Sequence, residues 1–480
     1  MSTKLIGFAV SIYILAAFAA GQKGVNPRTD AALPESPRVV STEAIILNAR
    51  LAPPELASDT LIKIATSGLN LRNDDRKFLI EEAIKLAREV KNPVRMRLVP
   101  IQGVAVDTET GYLSYAFELK LDGLSLMSRA IKAMVPLDRT RARHLIFLLN
   151  GKLGLGRIAC GDTLTYDVSD IYSTVMDVAK AGFTKKEIET GSRALFLLPW
   201  LENLESPSQV GPALDLLIEF SLQPNERELL TSFLSRSLRR NFGDDRSFTF
   251  SIERDQILSK IARLISGPAA PSKIEIKSAF REYLGLNLGS PRCKGNEIAN
   301  ESKIPAYAAD INRIYFDDPI KFELVGDMDV TESPKVRYLW TSEMARKLMQ
   351  RLRAIRLIGQ SNGQTPDDSD QRYEKIISLL ELLDSWKADG DEPDSAIFNQ
   401  KCIVYRTLLS SVPESNDKKL VTRSYLRYLS SAPMQKTNFI EWYLHVKHLA
   451  NVDFKLFEEM SSEIPNQTFI LLKQLKLVKL

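Results

Sequence analysis

Apolar residues recur at the spacing of an amphipathic α-helix along most of this 480-residue chain. One clear case begins at Asn73, a capping residue followed by two acidic residues, and ends before Pro93. Apolar positions three and four residues apart share one face of a helix, so each segment must bury that face against a neighbour. Short polar turns separate the segments, which favours helices that pack against each other in succession. This pattern constrains the fold more than any other feature.

The fold that this pattern predicts is mainly α: an irregular array of α-hairpins, a helical superhelix or a helical bundle. Strict alternation of polar and apolar residues, which is typical of a half-buried strand, is found only near residues 113–121 and 320–325. We therefore expect at most a small β hairpin on a helical body. No fixed repeat period is present, so a regular solenoid is not predicted.

Two pairs of residues have the spacing of a capping box, in which two side chains satisfy backbone N–H groups at a helix start. Thr184 is followed by Glu187, and Ser272 is followed by Glu275. We expect a helix to begin at each place.

The first nineteen residues have the features of an export signal. Lys4 supplies a positive charge, an uncharged apolar stretch follows, and Ala17 and Ala19 give the small-x-small pattern that a signal peptidase recognises. The apolar stretch is short for a membrane span, although an uncleaved anchor is the alternative. We expect residues 1–19 to be a cleaved signal peptide and residues 20–40 to be a flexible start of the mature chain. The mature protein would be secreted or periplasmic, without stable insertion in the membrane.

Changes in composition divide the rest of the chain. Residues 41–290 are predicted to form an N-terminal helical domain, and residues 341–480 a C-terminal helical lobe. Between them, residues 291–340 are rich in Asp and Pro and lack helical periodicity, so we expect an irregular insertion.

The chain has three cysteines, Cys160, Cys293 and Cys402. Cys402 lies in a predicted helix, whereas Cys160 and Cys293 lie in polar, glycine-bearing loops that leave room for a disulfide. Because an exported chain meets an oxidising environment, we expect a Cys160–Cys293 bridge. Three free thiols are the alternative.

Glu441, His445 and His448 are spaced four and three residues apart in a predicted helix. This spacing places the three side chains on neighbouring turns, where they could face one metal ion such as zinc. The alternative is that they are surface or packing residues, because aromatic residues lie beside them and no HExxH motif is present. A metal-assisted hydrolase that uses this trio is the alternative function.

Two further motifs receive structural interpretations. Residues 154–159 match the letters G-x-G-x-x-A of a dinucleotide-binding loop, but Gly161 interrupts the helix that would hold the phosphate, so we expect a loop between two helices. Residues 342–358 form a basic amphipathic helix. Its cations spread around most of the circumference, whereas a membrane-binding helix gathers them on one polar face. We expect a packed helix with a solvent-exposed back.

Charge and composition restrict the expected function. The chain has 64 Lys and Arg against 60 Asp and Glu, a net charge of +4, which is too small for a nucleic-acid binder that relies on electrostatic attraction. No nucleophile elbow, P-loop or C-x-x-C motif is present, and three histidines leave little for general-base catalysis. The sequence therefore predicts an exported, soluble helical protein that binds or scaffolds a protein or glycan partner and needs no cofactor.

Overall fold

The computed structural model describes residues 42–97, 109–158, 164–240, 256–266, 270–288, 343–360, 366–387, 394–412, 416–431 and 439–452, together with a few single residues elsewhere. Its helices and strands in chain order are α1 (Thr42–Arg50), α2 (Pro54–Thr66), α3 (Asn73–Glu89), β1 (Arg95–Arg97), α4 (Glu109–Glu118), α5 (Gly123–Met134), α6 (Arg139–Phe147), β2 (Leu164–Tyr166), α7 (Ser169–Ala181), α8 (Lys185–Glu189), α9 (Ser192–Glu202), α10 (Val210–Ile218), α11 (Pro224–Leu238), α12 (Ile257–Ile265), α13 (Pro271–Leu288), α14 (Glu343–Gln360), α15 (Pro366–Ser385), α16 (Asp394–Ser411), α17 (Asn416–Ser431) and α18 (Phe439–Val452). The prediction of a mainly α fold is confirmed.

The described residues contain one small sheet, in which β1 and β2 pair antiparallel. Arg95 lies opposite Tyr166, and Arg97 lies opposite Leu164. Because α4, α5 and α6 separate the two strands in sequence, the pair is not a local hairpin. The expected small amount of β structure is therefore present, but at positions that the alternation did not predict. The second alternating segment, residues 320–325, lies outside the described residues.

Residues 113–121 belong to α4 and the turn after it, so the prediction of a strand there is wrong. In a strand with this alternation, the aromatic side chains of Tyr115 and Phe117 would lie on the buried face. In α4 the small side chains of Ser114 and Ala116 are fully buried, and both aromatic rings are half-buried. Small buried residues that alternate with half-buried aromatic residues on this helix give a sequence pattern that resembles a strand.

Local side chains decide where some helices begin. At α8, the predicted capping box is present: Thr184 and Glu187 each accept from the backbone N–H of the other. The second predicted box is not formed. α13 begins at Pro271, and Glu275 instead accepts a hydrogen bond from Ser232 in α11 at 3.3 Å. A contact between helices has replaced the local one.

The predicted basic helix is α14, and it is a packed helix as expected. Its apolar stripe is buried, with Ala345, Leu348, Leu352 and Ile355 each 2% exposed or less. The arginines and the lysine of this helix are exposed, and Arg356, which the periodicity places in the stripe, also reaches solvent. The back of the helix is therefore solvated.

One apolar core runs through the described residues from α1 to α18. Trp200 in α9 and Trp442 in α18 are at most 1% exposed. α18 packs against α4, and Tyr443 in α18 lies near enough to Asp59 in α2 for that carboxylate to raise the pKa of the phenol, after the larger effect of burial. The first and last described helices thus share a core.

The predicted segment boundaries stay predictions. Residues 1–41, where the sequence predicts a signal peptide and a flexible mature N-terminus, lie outside the described residues, as does the predicted insertion at 291–340 apart from Arg313. Within the part of the chain that the structure describes, no helix combines the length and the apolar character needed to cross a membrane.

Candidate ligand-binding cleft

The three predicted metal ligands lie in α18, and two of them contact one residue of α16. Asn399 donates from Nδ2 to Oε2 of Glu441 at 3.0 Å, and its Oδ1 lies 3.3 Å from Nε2 of His445. An amide oxygen can only accept, so Nε2 of His445 is the donor. Glu441 and His445 are 3% and 1% exposed. The amide of Asn399 therefore orients both side chains inside the protein.

Burial keeps the imidazoles of α18 neutral. Desolvation lowers the pKa of His445 well below its usual value, and the nearby positive charge of Arg406 adds to this effect. The pKa of His448, which is half-buried, is lowered from 6.5 to about 4, first by burial and then by Arg406. Among the described residues, no group of three or more His, Cys, Asp or Glu side chains is placed to hold a metal ion. The metal site at 441, 445 and 448 stays a prediction without supporting geometry.

The predicted disulfide partners, Cys160 and Cys293, lie outside the described residues, so the bridge also stays a prediction. Cys402 is a free, fully buried thiol in α16. Burial raises its pKa well above the usual value, so the thiol is uncharged and poorly nucleophilic at neutral pH. Cys402 acts as a small core residue, as its predicted helix indicated.

A cleft of about 630 Å³ lies between the end of α3, β1, the start of α5 and the loop after α6. Apolar side chains form much of its wall, among them Val94, Leu124, Met127, Leu149 and Leu155. Three of the lining residues are basic, Arg88, Arg95 and Lys152, and none of the described lining residues is acidic. We call this feature the basic cleft. Apolar walls with a few charged groups are typical of small-molecule sites.

Arg95 is the best oriented of the three cations. It faces Tyr166 across the β1–β2 pair, with the guanidinium carbon 5.5 Å from the ring centre and Nη2 3.5 Å from the phenol oxygen. Contact with the aromatic face restrains the guanidinium. Arg95 is half-buried, whereas Arg88 and Lys152 are exposed. The cleft thus has one half-buried cation held against an aromatic ring and two exposed cations, which together favour an anionic ligand.

The loop after α6 is held in shape by Glu205. Its Oε2 accepts from the backbone nitrogens of Leu153 at 3.0 Å and Leu155 at 3.1 Å. Asn203 adds a bond to the carbonyl of Asn150 at 2.9 Å. The amides that would cradle a phosphate in a dinucleotide-binding loop are thus occupied by the protein's own carboxylate. The predicted loop is confirmed, although the next described element is the strand β2 and not a helix.

The start of α5 borders the cleft through Gly123 and Leu124. Asp122 caps this helix, since its Oδ1 accepts from the backbone nitrogen of Ser125 at 2.9 Å. The side chain is fully buried, and desolvation raises the pKa of its carboxyl from 3.8 to about 6. At neutral pH the ionised cap fixes the first turn of α5 and therefore this edge of the cleft.

Comparison with known proteins gives no match. No protein-family model matches the chain, and no curated protein and no solved structure is similar to it. The chemistry of the basic cleft therefore has to be inferred from its own geometry.

Sequence reasoning did not find the basic cleft. Arg88, Arg95 and Lys152 belong to three separate elements, and nothing in their local sequence distinguishes them from other surface cations. The glycine-rich segment beside Lys152 was the one partial indication of the cleft, because the sequence predicted a loop there. Its carboxylate partner, Glu205, lies in another segment, so the bond that shapes the loop could not be read from the motif.

Proposed function

We propose that this protein is an exported, mainly helical binding protein, and that the basic cleft holds a small molecule with an anionic group and an apolar body. The observation that supports this proposal is the convergence of three cations on one apolar-walled cleft whose described lining has no acidic residue. Three cations that line one cleft favour an anionic ligand.

The fixed cation favours an anionic group with two oxygens in one plane. The guanidinium of Arg95, restrained against Tyr166, presents a planar fork that matches a carboxylate or a sulfonate. The volume of the cleft, about 630 Å³, lies within the range of about 300–1,000 Å³ that is usual for small-molecule sites. An aliphatic or aromatic body would contact the side chains of Leu124 and Met127.

A fluorescent aromatic sulfonate, anilinonaphthalene sulfonate, tests this proposal because it combines an anion with an apolar body. Its emission should rise when it binds the folded protein, and decanoate should displace it. The variant Arg88→Gln/Lys152→Gln should weaken binding of both compounds by about threefold to tenfold, because each exposed ion pair contributes about 0.2–1 kcal/mol. Binding should also weaken with added salt.

The matched control is Lys85→Gln/Lys186→Gln, which removes the same charge from two exposed lysines that do not line the cleft. It should leave the affinity of both compounds unchanged. Equal weakening in the two double variants would show that only net charge matters, and a protein that binds neither compound would overturn the proposal.

Export is tested on protein taken from the producing cells. Its N-terminal sequence should begin at Ala20, with the chain in the culture medium or the periplasmic fraction. An intact chain that still carries residues 1–19 and sediments with membranes would contradict a cleaved signal.

A further inference from the structure

A second cavity, of about 360 Å³, lies between α10, α11, α12 and α13, away from the residues of the basic cleft. Three cations line it, Arg227, Arg263 and Lys273, and its described lining has no acidic residue. We call it the anion pocket. Its three cations converge from three different helices, so the sequence gives no local sign of it.

Two of these cations are held by main-chain oxygens. Arg227 donates from Nη1 to the carbonyl of Leu217 at 3.2 Å, and the ammonium of Lys273 donates to the carbonyl of Ser266. These carbonyls lie at the C-terminal ends of α10 and α12 and carry only a partial negative charge. Among the described residues, neither cation forms an ion pair with a carboxylate, so the carbonyls position them without full neutralisation.

Asp215, an anion on a neighbouring helix, is already engaged by another cation. Asp215 in α10 lies within electrostatic reach of Arg263. Its Oδ2, however, is 2.8 Å from the ammonium of Lys260 in α12. The positive potential of the pocket is thus only partly offset by the protein itself.

Hydroxyl groups complete the polar part of the anion pocket. Thr231, Ser266 and Ser272 line it together with the cations. The hydroxyl of Ser266 donates to the carbonyl of Arg263 at 2.7 Å, so Thr231 and Ser272 are the hydroxyl donors that face the pocket. Ser272 and Lys273 also lie in the first turn of α13, whose positive end adds to the potential. Ile218, Leu264 and Ile276 form an apolar wall beside these groups.

We propose that the anion pocket binds the dianionic phosphate of a small phosphate monoester. Three cations and the hydroxyls of Thr231 and Ser272 suit the charge and the oxygen atoms of a phosphate, which accepts charge-assisted hydrogen bonds. The cavity is larger than one phosphate group, and its apolar wall would contact the organic part of the ester. This site is separate from the basic cleft and goes beyond the proposed function.

Calorimetric titration with phenyl phosphate tests the proposal. Phenyl phosphate should bind at one site and more tightly than inorganic phosphate, because the ring gains contact with the apolar wall. Phenyl sulfate, which has the same ring and a single charge, should bind at least tenfold more weakly. Equal affinity for the phosphate and the sulfate would overturn the assignment to a dianion.

The site is located with Lys273→Gln, which should weaken phenyl phosphate at least tenfold. Lys277→Gln removes the same charge from an exposed lysine one turn later in α13 and should change nothing. If Lys273→Gln does not fold, Arg263→Gln at the exposed end of α12 gives the same comparison.

Equal effects of the pocket variant and its control, or no heat with phenyl phosphate, would overturn the proposal. Unchanged binding of decanoate by Lys273→Gln would show that the two sites are independent.

Discussion

Two glycines in the loop after α6 have the same backbone conformation but different surroundings. Gly151 and Gly154 both have φ near +68°. A Cβ on Gly151 would lie 2.3 Å from the carbonyl oxygen of Pro199, whereas a Cβ on Gly154 would meet nothing within 4 Å. At Gly151 the backbone of α9 leaves no room for a side chain, so glycine is required. At Gly154 the left-handed conformation alone favours glycine.

This difference predicts unequal costs for the same substitution. Gly154→Ala should lower the free energy of unfolding by about 1–2 kcal/mol, the cost of a left-handed alanine. Gly151→Ala should lower it by about 3 kcal/mol or more, because α9 must also shift. Urea unfolding followed by circular dichroism measures both values, and similar costs for the two variants would contradict the close approach to Pro199.

Two desolvated groups, the half-buried His448 and the buried Asp122, respond to pH in opposite directions. The lowered pKa of His448, about 4 against 6.5, means that the unfolded chain takes up a proton before the folded protein does. Stability from this group is present above pH 6.5 and is lost as the pH falls towards 4. The raised pKa of Asp122, about 6 against 3.8, has the opposite effect, because the folded protein takes up the proton first.

A comparison of variants separates these effects. Between pH 7 and pH 4, the free energy of unfolding of the wild type should fall relative to that of His448→Gln by up to about 3 kcal/mol. Over the same range the wild type should gain stability relative to Asp122→Asn, which retains a capping side chain. Urea titrations at several pH values measure both differences. A constant difference from His448→Gln across this range would show that its imidazole titrates normally.

At the scale of elements, one carboxylate links the loop after α6 to the chain beyond α9. Glu205→Gln should lengthen or break the bonds to the amides of Leu153 and Leu155, because the neutral amide is a weaker acceptor than a carboxylate. Hydrogen exchange at these two amides should become at least tenfold faster.

Glu202→Gln is the control for this prediction, because Glu202 lies three residues earlier at the end of α9 and does not bond to the loop amides through its side chain. It should leave exchange at Leu153 and Leu155 unchanged. Unchanged exchange in Glu205→Gln would mean that the loop keeps its shape without the carboxylate.

Features were predictable from the sequence when the residues that determine them lie close together in the chain. The capping box of Thr184 and Glu187 was predictable because the interacting residues are three positions apart. The helix of His445 was predictable for the same reason, but Asn399, which orients its ring, comes from another helix. Local spacing thus predicted the helices, whereas the basic cleft and the anion pocket depend on contacts between elements far apart in sequence.

For the whole molecule, the shared core predicts one cooperative unfolding transition. Trp200 lies in α9 and Trp442 in α18, and both are buried in the same core. The chain has two further tryptophans, Trp340 and Trp386. Trp200→Phe therefore reports the C-terminal tryptophans, and Trp340→Phe/Trp386→Phe/Trp442→Phe reports Trp200 alone. Both should unfold at the same midpoint after correction for the substitutions, and Gly151→Ala should shift that midpoint in both backgrounds. C-terminal fluorescence that keeps its midpoint when Gly151 is replaced would reveal a C-terminal part that unfolds independently.

The pairing of β1 with β2 brings together Arg95 and Tyr166, which are 71 positions apart in the chain. Two strands of three residues do not persist alone. Their pairing closes a loop that contains α4, α5 and α6, and contacts between residues so far apart in sequence slow folding. Because neither strand persists alone, Arg95 and Tyr166 meet only in the folded chain. We therefore expect anion binding at the proposed site to indicate that folding is complete.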